Sequence, residues 1–296
     1  MKWQVEKDML RSLVGLASVV ELRDPYTGGH LWRVGQFSRL LADIIGLDRT
    51  GVFLAWIGGA LHDLGKIAVP DAILRKPGPL TEQEYGVITT HPAVGRDLLG
   101  GHPLRELAVA AVYHHHERVD GSGYPERLAG DEIPLVARIV GLADAFDAMT
   151  SARPYRAGRS IRAALDTLKE HRNAQFDAAL VGPFCELHEV HDTLVPIVGH
   201  SDHGQRLVAC PNCGPTIVVT RHFRDGQIAY CRNCGGRFIL HRSGDTFAAE
   251  RAGAAESADH LRPVPELEAL EDLVEALPGR RLLHRPGHFF GGGATT

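Results

Sequence analysis

The chain has 296 residues, 44% of them hydrophobic, and a formal net charge of −4 at pH 7; that length accommodates one large core and a smaller module. The charge argues against a general nucleic-acid sponge and a polybasic membrane binder, and no apolar run reaches the length of a membrane span, so the expectation is a soluble, cytoplasmic protein. Four of the five cysteines form two CxxC pairs, a spacing of metal ligands rather than of disulfides, and 17 histidines raise the prospect of metal chemistry.

In chain order, Leu10, Leu13, Ala17 and Val20 recur at helical spacing and predict an amphipathic helix over 8–22. The stretch Asp24-Pro25-Tyr26-Thr27-Gly28-Gly29-His30 breaks it. Thr27 is the expected N-cap of the next helix, which puts His30 in the first turn, with Val34, Phe37, Leu41 and Ile44 facing the core. The apolar run Phe53–Ile57 leads into His62-Asp63-Leu64-Gly65-Lys66, with Leu54, Ile57, Leu61 and Leu64 in helical register. Gly65 reads as the left-handed residue just past a helix end, so His62 and Asp63 fall in the last turn of a buried helix. A buried carboxylate without a partner is costly, so the pair is either hydrogen-bonded for structure or grips a metal.

After a turn-rich connection at 76–80, Thr81 and Glu84 form a capping box. His91 precedes Pro92, which puts it at a joint between two helices. Leu104, Leu107, Ala108, Ala111 and His115 predict one helical face ending in His114-His115-His116-Glu117. Three consecutive histidines cover a wide arc, so only one or two point inward. Asp120 to Pro125 has turn chemistry throughout, and its two glycines before Tyr124-Pro125 would let the backbone approach a ligand. The next helix opens at Pro134 and carries Asp144 on its apolar side, a second buried acid in need of a cation or several donors. Asp147, one turn on, reads as a group supporting a ligand or a cap. Arg153 and Arg156 flank Pro154-Tyr155: a solvated basic turn, or a phosphate clamp. Helices are expected around 161–169 and 177–187, and no strand before about 205.

Cys210-Pro211-Asn212-Cys213 and Cys231-Arg232-Asn233-Cys234 are separated by 17 residues, each pair followed by a glycine (Gly214, Gly235), with β-like runs at 216–219 and 238–240. This is the pattern of a zinc ribbon. The fold class expected is therefore mainly α: an all-helical domain over 1–197, a polar linker at 198–205, a small β zinc ribbon over 206–242, and a low-complexity, largely disordered tail over 243–296 with one amphipathic helix around 266–277.

Taken jointly, His30, His62, Asp63, His91, His115, His116 and Asp144 lie at helix ends or on apolar faces of one helical domain. A mixed nitrogen and oxygen set with two carboxylates suits iron or manganese better than a structural thiolate zinc. The donors outnumber what one ion needs, so two divalent ions bridged by Asp63 are expected. Two ions bridged by hydroxide beside basic residues hydrolyse phosphoesters.

The segments Asp-Pro-Tyr-Thr-Gly-Gly-His (24–30), His-Asp-Leu-Gly-Lys-Ile (62–67), Lys-Pro-Gly-Pro-Leu-Thr (76–81), Thr-His-Pro-Ala-Val-Gly (90–95), His-His-Glu-Arg-Val-Asp-Gly-Ser-Gly-Tyr-Pro (115–125) and Ala-Asp-Ala-Phe-Asp-Ala-Met-Thr-Ser-Ala-Arg-Pro-Tyr-Arg (143–156) resemble, in order, the motifs of the HD-GYP domain. The resemblance covers about 8–190. It implies an all-α HD-type phosphohydrolase that hydrolyses cyclic di-GMP to pGpG, the family often going onward to GMP. It also implies the metal ligands His30, His62, Asp63, His91, His115, His116 and Asp144, with the motif selecting His115 and His116 over His114. Asp63 and Lys66 are the implied catalytic groups. Lys66, Arg153 and Arg156 match phosphate-contacting positions, and Gly123-Tyr124-Pro125 is the signature loop. Two departures stand out: Val119 replaces a tryptophan, and Tyr26 stands four residues before His30, where relatives with a third metal have glutamate. Two ions are therefore expected in this site and one zinc in the ribbon, held by Cys210, Cys213, Cys231 and Cys234. Partners compatible with the sequence are a protein at the ribbon and a second copy of the chain; nucleic acid is disfavoured, though a ribbon can take it, and a membrane is not expected. The competing readings are an HD-type hydrolase of another nucleotide and a receptor for cyclic di-GMP without turnover.

Overall fold

A computed structural model describes residues 2–23, 29–76, 78–151, 158–202, 205–219, 222–231, 234–244 and 246–261. Among them the helices are α1 (Lys2–Arg23), α2 (His30–Ile44), α3 (Arg49–Leu61), α4 (Asp71–Leu74), α5 (Glu82–Ile88), α6 (His91–Leu99), α7 (Val109–His114), α8 (Leu135–Thr150), α9 (Ile161–Glu170) and α10 (Ala178–Glu189). The strands follow: β1 (His200–Asp202), β2 (Gln205–Arg206), β3 (Val208–Cys210), β4 (Gly214–Ile217), β5 (Ile228–Tyr230), β6 (Gly236–Ser243) and β7 (Thr246–Ala254). The mainly α class holds, with an antiparallel β module after it.

Two apolar clusters share the helical part. One joins α2, α8, α9 and α10 through Phe37, Phe146 and Phe184, whose rings meet edge to face at 5.0–6.2 Å. The other seats Leu10, Leu13, Ala17 and Val20 of α1 against Trp56, Ile57 and Leu61 of α3, the face expected from their spacing. α2 and α3 cross closely because glycines meet there: a Cβ on Gly59 would lie 2.9 Å from the Cα of Gly35. That crossing brings the first residue of α2 toward the last turn of α3. The capping box of α5 forms as expected, Glu84 N donating to Thr81 Oγ1 at 3.3 Å and Thr81 N to Glu84 Oε2 at 2.7 Å. Ser160 and Asp177 cap α9 and α10.

Several expectations need correction. The polar linker at 198–205 carries an antiparallel pair, β1 with β2, and His200 in it is buried. The β module also runs past 242: β7 pairs with β6 from Ser243↔Thr246 to Gly236↔Ala254, so the tail expected from 243 is ordered to Leu261, while the helix expected at 266–277 lies outside the described residues. Alternation of Phe238 and Leu240 into the ribbon core on β6 gives β7 a partner that composition alone did not reveal. The helix expected through 104–115 is split into a 3-10 turn, Arg105–Leu107, and α7. Gly65 is not left-handed. It lies in a 3-10 turn, Leu64–Ala68, where an added Cβ would meet the carbonyl oxygen of His91 at 1.9 Å and the nitrogen of Gly95 at 2.5 Å. The glycine is there so that two backbones can touch.

Gly65→Ala is expected to destabilise the fold, read as a lowered urea midpoint, by at least about 1–3 kcal/mol, the cost of an overpacked core site. Gly86→Ala, inside α5 with open space around it, should instead gain up to about 1 kcal/mol. Equal effects at the two positions would remove the close-approach explanation.

Candidate metal centre

Five elements deliver the site. His30 opens α2, preceded by Gly29 at φ 75 as the N-cap; Thr27, the cap expected from sequence, lies outside the described residues. His62 caps the C-terminal end of α3, and Asp63 leads into the 3-10 turn. His91 is the first residue of α6, with Pro92 next. His115 and His116 follow α7, and Asp144 and Asp147 lie on α8. His30, His62, Asp63, His91 and His115 are buried and Asp144 half-buried.

Three imidazoles are aimed by the same device. The Nδ1–H of His62 donates to Gly59 O at 2.7 Å and that of His91 to Ile88 O at 2.7 Å. His115 Nδ1 sits 3.1 Å from both Ala111 O and Val112 O. These carbonyls belong to the last turns of α3, α5 and α7, where helix geometry leaves acceptors over. A carbonyl only accepts, so each ring carries its proton on Nδ1 and turns a bare Nε2 inward. The consequence is that His91 Nε2 and His115 Nε2 face each other at 3.3 Å as two lone pairs. His62 Nε2 and Asp63 Oδ1 are buried with no hydrogen-bond partner. Facing lone pairs and orphaned acceptors in a core are unfavourable unless a cation lies among them, so the residues present fit a metal.

Asp63 stands in the middle. Its Oδ2 is 3.5 Å from His30 Nε2, 3.4 Å from His62 Nε2 and 2.6 Å from Lys66 Nζ, while Oδ1 is 3.4 Å from His91 Nε2. Burial opposes its charge, but Lys66 holds its carboxyl well below the usual carboxylate range. Asp144 Oδ1 lies 3.5 Å from His30 Nε2 and 3.8 Å from His62 Nε2. The donors form three overlapping clusters, His30 with His62 and Asp144, His91 with His115 and His116, and His62 with Asp63 and His115, with Asp63 Oδ2 turned to the first and Oδ1 to the second. Burial pushes His91 down to about 4 and His116 down to about 3, with His115 also far below the ordinary range; rings that resist a proton keep a lone pair for a metal. His30 goes the other way. Burial would lower it, but the carboxylates of Asp147, Asp63 and Asp144 raise it to about 10.

The Tyr124 ring stacks on His116 at 4.8 Å, and the Tyr124–Pro125 peptide is cis. The glycine before them approaches its own chain: a Cβ on Gly123 would lie 2.4 Å from Arg118 N. The close approach expected toward a ligand is thus made toward the backbone of Glu117 and Arg118. A cavity of about 350 Å³ opens on the donors, lined among others by Lys66, Lys76, His91, His116, Tyr124 and Asp144. Arg153 and Arg156 lie outside the described residues. The sequence reading missed Glu21 and Arg33. Glu21 Oε1 accepts from Leu31 N at 3.0 Å, and burial raises its carboxyl; its signal was a place four residues after Ala17 on the buried side of α1. Arg33 falls one turn after His30 and four before Phe37 on a buried face, and meets Asp147.

In the β module, the sulfurs of Cys210, Cys213, Cys231 and Cys234 lie within 4.8 Å of one another. Gly214 at φ 78 and Gly235 at φ 66 turn the chain after each pair. The four thiols expected to share one ion are thus brought together.

The HD domain model matches residues 16–180. Over 180 residues the chain is 44% identical to the cyclic di-GMP phosphodiesterase response regulator RpfG of Xanthomonas campestris pv. campestris, covering 60% of this chain and 48% of that protein. It is 40% identical over 184 residues to a cyclic di-GMP phosphodiesterase of Pseudomonas aeruginosa, with 61% and 44% covered. A 3'3'-cGAMP-specific phosphodiesterase 2 of Vibrio cholerae is 38% identical over 168 residues, with 56% and 32% covered. The chain spans half or less of the length of these relatives. All three alignments are long enough to take in most of the helical part and far too short to include the whole chain. With a model matching more than half of the chain, and with histidines and aspartates converging where facing lone pairs call for a cation, the protein belongs to the HD domain family.

Proposed function

We propose that the helical domain is a metal-dependent phosphodiesterase that hydrolyses cyclic di-GMP to linear pGpG and onward to GMP. The observation that carries the metal part is the pair of facing Nε2 lone pairs beside a carboxylate whose two oxygens serve two donor groups. The names of the relatives support the substrate class. A substrate among the other cyclic dinucleotides is the second reading, favoured by the 3'3'-cGAMP-specific relative. Turnover of a panel of cyclic dinucleotides, with products resolved, separates the two; no turnover of any by metal-loaded protein would leave a receptor.

His30, His62 and Asp144 would hold one divalent ion and His91, His115 and His116 the other, with Asp63 between them. Iron or manganese suits this nitrogen and oxygen set. When bound, such ions polarise a phosphoryl oxygen and make a nucleophile available at neutral pH. The chain's own part is charge and position. Asp63 offsets the positive charge gathered at the site, and Lys66 Nζ, 2.6 Å from Asp63 Oδ2 and on the cavity wall, is placed to donate to a phosphate oxygen. Arg153 and Arg156 are assigned to the neighbouring phosphate, and Gly123-Tyr124-Pro125 to the substrate side of His116. The four cysteines of the β module hold zinc in this reading, which fits thiolates and a reducing, cytoplasmic compartment.

Asp63→Ala should abolish turnover and lower bound metal by about one ion per chain, as metal analysis would read; Asp63→Asn, which keeps size but not charge, should also lose turnover. Full activity in either removes the bridging role.

Lys66→Ala and Arg153→Ala should each cut kcat/KM by roughly 10- to 150-fold, the loss of one charge-assisted hydrogen bond of about 1.5–3 kcal/mol, while both ions stay bound. Loss of metal and fold in parallel would make these residues structural.

Replacing Cys231 and Cys234 together with serine should remove zinc and unfold the ribbon, since small metal modules depend on their ion. The helical domain should keep its circular dichroism and its two catalytic ions. Hydrolysis lost while those ions remain bound would make the ribbon part of the enzyme.

A further inference from the structure

His62, His91 and His115 take their orientation from carbonyls at helix C-terminal ends. His30 cannot. It is the first residue of α2, and a helix N-terminus offers N–H donors, not acceptors. The acceptor for its Nδ1–H comes from another element, Asp147 Oδ2 on α8, at 2.8 Å.

Asp147 is held in turn. Arg33, whose side chain is 1% exposed, donates from Nε to Asp147 Oδ1 at 2.6 Å and from Nη2 to Oδ2 at 3.0 Å. This two-point fork fixes the plane of the carboxylate and not merely its distance. Nη2 also reaches Ser151 Oγ at 3.1 Å. Nη1 donates to the backbone carbonyl of His200 at 2.8 Å. A buried ion pair is tolerable only when its remaining donors find acceptors, and here the chain beyond the last helix supplies one.

His200 opens β1 and is itself buried. The chain reaches it through Gly199 at φ 73, with His200 N donating to Ile197 O at 3.0 Å and Leu207 N closing back on Gly199 O at 2.8 Å. This arm packs on α2 and continues into the ribbon at β3. A continuous buried path therefore runs from the His200 carbonyl through Arg33 and Asp147 to the His30 ring.

We propose that Arg33 is a positioning residue that couples the seating of the C-terminal arm to the orientation of His30, so that the arm sets the affinity of the metal position His30 shares with His62 and Asp144. The inference rests on reading His30 as a metal ligand. The segment between the helical domain and the ribbon thereby acquires a regulatory role. A partner or a conformational change that lifts the arm from α2 weakens one metal position and leaves the other intact.

The test is equilibrium dialysis against Mn²⁺ of the full chain, its ribbon kept loaded with Zn²⁺ and its helical site depleted, with bound Mn²⁺ counted by mass spectrometry and folding followed by circular dichroism. Arg33→Met should weaken one of two Mn²⁺ equivalents by about 10- to 100-fold, the usual effect of losing a group that supports a ligand, and leave the second at full affinity. Gly199→Pro, whose ring cannot adopt φ 73, redirects the chain into β1 without touching the site. It should weaken the same equivalent about tenfold. Because both act on one path, the double variant should bind no more weakly than Arg33→Met alone. Arg33→Lys keeps the charge without the fork and should fall between the full chain and Arg33→Met; with Gly199→Pro it carries the test if Arg33→Met does not fold. Two Mn²⁺ bound at full affinity by folded Arg33→Met overturns the coupling, as does a Gly199→Pro effect that is absent or adds in full to that of Arg33→Met. His30→Ala separates the two levels: if it keeps both ions, the ligand reading itself fails, whereas loss of one ion there with none lost in Arg33→Met condemns the coupling alone.

Discussion

The hydrogen bonds from imidazole Nδ1 to carbonyls at helix ends are the interaction on which the helical domain's chemistry depends. Every α-helix leaves carbonyls over in its last turn, and most proteins give them to water or to a capping turn. Here α3, α5 and α7 each give one to a histidine three or four residues along. The bond satisfies a buried acceptor, fixes the tautomer and sets the ring's direction. The partial negative charge of the helix end also strengthens the ring as a donor to a cation. The site is thus a by-product of where three helices stop, and the positions of their ends are what the packing has to guarantee.

That guarantee is delivered by missing side chains. Gly35 and Gly59 let α2 and α3 cross nearly in backbone contact, and Gly65 lets the 3-10 turn after Asp63 rest on the backbone of His91 and Gly95. Each contact removes a methyl's width between elements that carry donors. The result is a carboxylate within 3.5 Å of three imidazoles. A separation widened by one carbon would leave the donors too far apart to share ions.

Much of this was legible in the sequence. Periodicity gave α1, α2 and α8 because their apolar positions recur at a fixed interval and packing did not override it, and α9 and α10 formed where helices were expected. The donors were legible because histidine and aspartate on apolar faces are anomalous, and because the ordered motifs resemble a known family. What escaped were relations between distant segments. Gly65 looked like a helix terminator because the local pattern cannot show His91 lying against it. Arg33 looked like an ordinary helix residue because its partners are 114 and 167 positions away. β1 escaped because it has only three residues, and β7 because its run of small residues carries little alternation of its own; β1 is placed by pairing with β2 and packing on α2, and β7 by pairing with β6.

The two halves of the chain relate to their metals in opposite ways. The carbonyls that hold His62, His91 and His115 exist as soon as the helices do, so the direction of those three rings is set without an ion. The four cysteines sit in a sheet module whose buried centre is small: Val208, Ile217, Val219, Ala229, Phe238 and Leu240 beside Cys210 and Cys231. There, on the proposed reading, the ion is part of the architecture. On that reading, a cell short of metal would leave the first half folded but without turnover and the second half without form, two different losses within one polypeptide.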